Sequence, residues 1–98
     1  MTIYEKMDEL VNYNENTVVP FLKKVDRDTW FYLYTEDELD DFHSDISNYR
    51  MPFEHAEDDL LTMCKSEAEK ELVDTFYLEI ILPIINEIDR IDRLIDEQ

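Results

Sequence analysis

The chain has 98 residues, of which 26 are acidic and 9 basic, for a net charge of −17. Such a chain is repelled by nucleic acid and anionic membranes and drawn to basic surfaces, which argues against direct DNA or RNA binding. At 44% hydrophobic and 12% aromatic residues it is not a disordered acidic tail either.

Length sets one helical domain, 1–98, with room for a single modest core. No run of eighteen apolar residues and no basic-then-apolar leader occurs, and the lone cysteine, Cys64, leaves no internal disulfide. These features read as cytoplasmic, or as host cytoplasm if the chain is phage-encoded. Absent glycine, scarce alanine and abundant Ile, Asn and Tyr fit an AT-rich coding sequence, of the kind found in low-GC bacteria and their phages, better than a high-salt adaptation.

Without glycine, tight hairpin turns have few residues to use, whereas helix starts are plainly marked. Thr2–Glu5, Thr35–Glu38 and Ser66–Glu69 each have capping-box spacing. The expectation is an all-α fold, a small bundle of four to five helices with a long, Pro-interrupted C-terminal helix. A first helix over about 3–14 turns Ile3, Met7, Leu10 and Val11 inward. A second over about 16–25 buries Val18, Val19, Phe21, Leu22 and Val25, with Pro20 in its first turn, unless the two are one helix kinked at Asn14–Pro20. Residues 29–34, TWFYLY, read as a packed helical or irregular segment, since a lone strand would lack a partner.

A third helix over 36–49 has Leu39, Phe42, Ile46 and Tyr49 as its inward seam, and a fourth starts at Pro52, a favourable first helical residue, and runs to about 64. The last spans about 67–96. Tyr77, Ile81, Ile84, Ile88, Ile91 and Ile95 step by four and three, a heptad seam that Val73, Phe76, Ile80 and Ile85 widen. Pro83 should bend it or divide it near Leu82. Two short helices stacked end to end could cover this seam; otherwise its C-terminal part pairs with a second copy, as a homodimer through the C-terminal helix.

The charge is not evenly spread. Residues 35–60 hold ten acids and one base, Arg50. On a helix, Asp37, Asp41 and Asp45 form an outward i, i+4 series with Glu38 and Asp40 beside it. The three like-charged pairs Asp37–Asp41, Asp41–Asp45 and Glu36–Asp40 destabilise the helix by about 1 kcal/mol in all. Glu36, Asp37 and Glu38 recover part of this from the helix dipole. After Pro52, Glu54, Glu57, Asp58 and Asp59 continue the run, and a hairpin of the third and fourth helices would merge both sets into one ridge. The C-terminal helix instead has the mixed pairs Asp89–Arg93 and Glu87–Arg90 of an ordinary solvated face.

Carboxylates four residues apart lie about 6 Å apart along a helix, a spacing comparable to that of phosphates on a DNA strand. A rigid ridge of them suits a groove lined by Arg and Lys. The expected function is therefore an acidic inhibitor, a DNA mimic of the phage antirestriction or anti-CRISPR type, bound to a basic protein that handles nucleic acid. Its partner-binding residues would be Asp37, Glu38, Asp40, Asp41, Asp45, Glu54, Glu57, Asp58 and Asp59. This is a likeness of class, with no family motif behind it. The alternatives are an immunity or antitoxin protein against a basic toxin, a helical oligomerising adaptor, or acids that only solubilise.

Catalysis, cofactors and metals are not expected. Nucleophile-elbow and P-loop patterns need glycine, the EF-hand spacing is missing, and Asp40 with His43 is a poor fragment of a di-iron motif. His55 and Cys64 stand over two helical turns apart.

Overall fold

The computed structural model describes residues 2–27 and 35–96. The aromatic run 29–34 lies outside them. The described residues are all helical apart from the caps and turns, and form three helices where four to five were expected.

Three caps start three helices. Thr2 Oγ1 accepts from the Glu5 N–H at 3.2 Å while Glu5 Oε1 accepts from the Thr2 N–H at 3.2 Å, a complete capping box. Thr35 Oγ1 accepts from the Glu38 N–H and Ser66 Oγ from the Glu69 N–H, each at 3.2 Å. Each bond satisfies one of the backbone donors that a helix start leaves unpaired.

The N-terminal helix spans 3–27 without a break. It consists of Ile3–Tyr13, a π-helical turn Asn14–Val18, and Val19–Arg27. The C-terminal helix is built alike, from Glu67–Phe76, a π turn Tyr77–Ile81, and Leu82–Asp96. In each, the residue before the proline donates five residues back: the Val19 N–H to Asn14 O, and the Leu82 N–H to Tyr77 O. A proline ring clashes with the carbonyl four residues before it, and widening the turn ahead of it relieves the clash. Pro20 and Pro83 are thus carried inside continuous helices, and neither divides its helix.

The π turns also keep the buried faces in line. Leu10 to Val18 and Val73 to Ile81 are both steps of eight residues between buried positions. Eight α-helical residues overshoot two full turns by about 80°, and the residue taken up by each π turn removes that overshoot. Beyond it, Ile88, Ile91 and Ile95 continue the C-terminal line at no more than 2% exposure. Tyr77 and Ile84 flank the line half-buried, as Val11, Val19 and Phe21 do on the N-terminal helix.

The middle helix departs most from expectation. It runs Glu36–Glu54, through Pro52, breaks at His55 (φ −99°, ψ −4°), and resumes over Ala56–Met63. Pro52 is therefore not a helix start, and packing explains why. Tyr13 stacks at a tilt on Tyr49 and Phe53, with ring centroids 6.5 and 6.1 Å away, and Phe21 on Phe42 and Tyr49 at 6.5 and 4.8 Å. Residues 42, 49 and 53 share one stripe only if the helix stays intact through 50–52. This aromatic burial outweighs the local preference of the proline.

Both parts of the middle helix lie end to end along the other two helices. Its first part packs on Leu82–Asp96, and Ala56–Met63 packs on Glu67–Phe76 and on Ile3–Tyr13. Val19–Arg27 packs on Leu82–Asp96, so the outer helices run in one direction and the middle helix in the other. The result is a rod of 52 × 21 × 19 Å. Its core joins Ile3, Met7, Leu10, Val18, Leu22 and Val25 to Ile46, Phe53, Ala56 and Leu60 and to the C-terminal isoleucines. No helix among the described residues is long and apolar enough to cross a membrane.

Phe53 is 1% exposed and anchors both parts of the middle helix. Phe53→Ala should lower unfolding free energy by about 3–5 kcal/mol, read as a fall in the urea midpoint with an unchanged slope.

Candidate functional site

The middle helix presents its candidate residues in two runs rather than as a two-helix ridge. Because 36–54 and 56–63 are consecutive stretches of one broken helix, they do not form the expected hairpin, and their acids follow one another along a line. Asp37, Asp41 and Asp45 are exposed on the first run, and Asp58 and Asp59 on the second. Glu38 is exposed but takes part in the cap, with its Oε1 accepting from Thr35 Oγ1 at 3.3 Å. Asp40 lines a cleft of about 300 Å³ with Glu36, Leu39, His43, Ile95 and Asp96. Glu57 is half-buried, and Glu54 is ion-paired with Arg50.

Arg50, the one base of the acidic segment, faces the C-terminal helix. Its Nε donates to Asp89 Oδ1 at 2.9 Å and its Nη2 to Asp89 Oδ2 at 3.4 Å. The hydrogen bond to Asp89 pushes the guanidinium pKa up, against a smaller opposing effect of burial and with help from Glu54. One helical turn pair earlier, His43 bridges to the same helix, with Nδ1 2.7 Å from Asp92 Oδ1 and Nε2 3.0 Å from Asp96 Oδ1. Asp89 therefore pairs across the bundle with Arg50, whereas Glu87–Arg90 is the within-helix pair expected, at 2.7 Å.

The consequence is an unbalanced face. Among the described residues no cation lies within ion-pair distance of Asp37, Asp40, Asp41, Asp45, Glu57, Asp58 or Asp59. Arg50 and His43 lie instead on the side that packs on the C-terminal helix. These two cross-helix bridges were missed in the sequence, although their signal is there: residues 43 and 50 are seven apart, and 89, 92 and 96 step by three and four.

Among the described residues, no group of three or more His, Cys, Asp or Glu side chains is placed to hold a metal ion. Burial first, and Glu69 second, raise the Cys64 thiol pKa, and its Sγ donates to Leu60 O at 3.3 Å, so it stays a weakly nucleophilic thiol. Tyr13 is likewise raised, mainly by burial and then by Tyr49.

The seam isoleucines Ile88, Ile91 and Ile95 are covered by the chain itself. The large apolar side chains left outside on the C-terminal helix are Leu72 (39% exposed), Leu78 (62%) and Ile80 (36%).

No protein-family model, curated protein or solved structure matches the chain.

The Arg50–Asp89 bridge is partly open to water, at 31% and 42% side-chain exposure. A double-mutant cycle of Arg50→Met with Asp89→Asn, followed by urea unfolding, should give a coupling of about 0.5–1 kcal/mol.

Proposed function

We propose that the chain is an acidic inhibitor that occupies the nucleic-acid-binding surface of a basic protein, as a DNA mimic does. The observation that carries this reading is the exposed series Asp37, Asp41 and Asp45, uncompensated by any cation among the described residues. A solubilising face ordinarily interleaves both signs, as Glu87 and Arg90 do here. This face does not. Its carboxylates rise by about 6 Å per step on a helix buried along its opposite side, so they are displayed rather than waving on a tail. A groove of Arg and Lys built for phosphates would meet charge at a comparable spacing. From Asp37 to Asp59 the line spans about 33 Å of helix, roughly ten nucleotide steps of a duplex strand.

An antirestriction or anti-CRISPR protein acts through such a surface, and an immunity protein or antitoxin against a basic nuclease would use the same chemistry on another partner. Affinity capture from nuclease-treated bacterial lysate separates them, with washes at rising salt and one with competing duplex DNA. Nucleic-acid-handling proteins released by salt or duplex support mimicry, and a single salt-resistant protein unrelated to nucleic acid counts against it.

Reversing Asp37, Asp41 and Asp45 to Lys should abolish capture while the circular-dichroism helix signal is kept. Binding retained by that variant would rule the ridge out. Affinity for the captured partner should fall by about tenfold or more between 50 and 200 mM salt, because steering by opposite charge is screened.

A second reading rests on the exposed Leu78 and Ile80. Self-association through the C-terminal helix would use these rather than the seam, which the monomer already covers. If they serve that purpose, sedimentation is concentration-dependent and Leu78→Lys with Ile80→Lys abolishes the dependence.

A further inference from the structure

The two outer helices pack directly on each other mainly over their C-terminal halves, where Val19–Arg27 meets Leu82–Asp96. Nearer their N-termini they are joined through Ala56–Met63, which packs on both Ile3–Tyr13 and Glu67–Phe76. Val19 and Glu87 mark the facing flanks, since both line one small cleft with Leu22 and Lys23. Toward the N-termini, the flank of Val19 continues through Val11 to Tyr4, eight and then seven residues back, with the π turn Asn14–Val18 keeping the line in phase. The flank of Glu87 continues through Ile80 and Phe76 to Leu72. Val11 and Phe76 are half-buried, but Tyr4 (57%), Leu72 and Ile80 are exposed. Single apolar side chains at a surface are ordinary; an apolar groove about 12 Å long between two helices is not.

The rims of this groove are acidic. Asp8 follows Tyr4 and Glu15 follows Val11 by one helical turn, and Glu79 stands beside Ile80. All three are exposed, and among the described residues no cation lies within ion-pair distance of them. A second copy seated here would set these carboxylates against the same carboxylates. We propose that the groove between the outer helices, floored by Val11 and Phe76 and rimmed by Asp8, Glu15 and Glu79, docks an amphipathic helix of a partner protein whose apolar stripe is flanked by Lys or Arg. Apolar residues spaced three and four apart on that helix enter between Tyr4, Leu72 and Ile80, and the flanking cations meet the rims. Asp37, Asp41 and Asp45 belong to the middle helix, so docking here does not depend on what those carboxylates bind.

The test titrates the full chain with a synthetic helical peptide of about 14 residues, roughly four turns. It has Leu at positions three and four apart with Lys beside them, and a companion peptide carries Glu in place of each Lys. The Lys peptide should bind and move the amide chemical shifts of Tyr4, Val11, Leu72 and Ile80 rather than those along 37–45. Leu72→Ser with Ile80→Ser, checked for an unchanged circular-dichroism helix signal, should weaken binding by about tenfold or more. The Lys peptide should bind about tenfold or more tighter than the Glu peptide. Asp8→Asn, Glu15→Gln and Glu79→Gln together should narrow that gap, whereas Asp37→Asn, Asp41→Asn and Asp45→Asn, which remove the same charge, should leave it. No binding of the Lys peptide at about 1 mM, equal binding of the two peptides, equal narrowing by both triple variants, or unchanged binding by the Leu72 and Ile80 variant would overturn the proposal. Sedimentation of the protein alone supplies the last arm: self-association that the same Leu72 and Ile80 variant abolishes would give the groove to a second copy and overturn the partner helix.

Discussion

Continuous burial of the C-terminal isoleucine line holds the three helices together, and it depends on one local backbone adjustment. Val73, Ile81, Ile88, Ile91 and Ile95 can face the same neighbours only if the eight-residue step from Val73 is brought back into phase. The π turn Tyr77–Ile81 does this and makes room for Pro83 in the same stroke. The N-terminal helix repeats the arrangement at Asn14–Val18 and Pro20, so both outer helices present unbroken apolar faces along their length. The middle helix, lying against both, could not be covered otherwise. A straight α-helix through either proline would turn the buried residues before it out of line with those after it.

Electrostatics then follows from how few cations there are. Nine bases cannot neutralise 26 acids, so where they go matters more than how many there are. Arg50 and His43 are used between helices, where each meets a carboxylate of the C-terminal helix. That choice strengthens an interface at the expense of the exposed side of the same helix. A chain under pressure only to stay folded would be expected to place an Arg or Lys among Asp37, Asp41 and Asp45, where each i, i+4 pair would gain a few tenths of a kcal/mol.

Sequence patterns were reliable where a bonded motif carried the signal and failed where a single residue was read by its usual preference. The three Ser and Thr caps mark the three helix starts, and the inward seams through Ile46, Ile81, Ile88, Ile91 and Ile95 are the core. Pro52 misled because proline favours a helix start, yet nothing before it can cap one: Arg50 and Met51 offer no side-chain acceptor. Counting caps instead of prolines would have given three helices. The eight-residue gaps between buried positions ahead of Pro20 and Pro83 were not legible, because Tyr77 and Val11, which the sequence places on the same faces, are only half-buried. For the candidate site, the exposure of Asp37, Asp41 and Asp45 was legible from the seam. The line of acids in place of a hairpin ridge was not, because it depends on the aromatic packing of Tyr13 and Phe21 across helices.

The position of the acidic face in the bundle bears on what it can do. The middle helix is gripped on one flank by the aromatic rings of the N-terminal helix and on the other by the bridges from Arg50 and His43, with Ile46, Phe53, Ala56 and Leu60 sealed beneath. The side left to water is the one that carries Asp37, Asp41 and Asp45. Charges on a helix end or a loose loop lose conformational freedom when they bind, and that loss subtracts from affinity. Carboxylates on a helix held along three sides have already lost most of it on folding. The same rigidity fixes their spacing, so a partner must match a set distance and not merely a sign. Under the proposed function, that fixed spacing is what a basic groove would have to match.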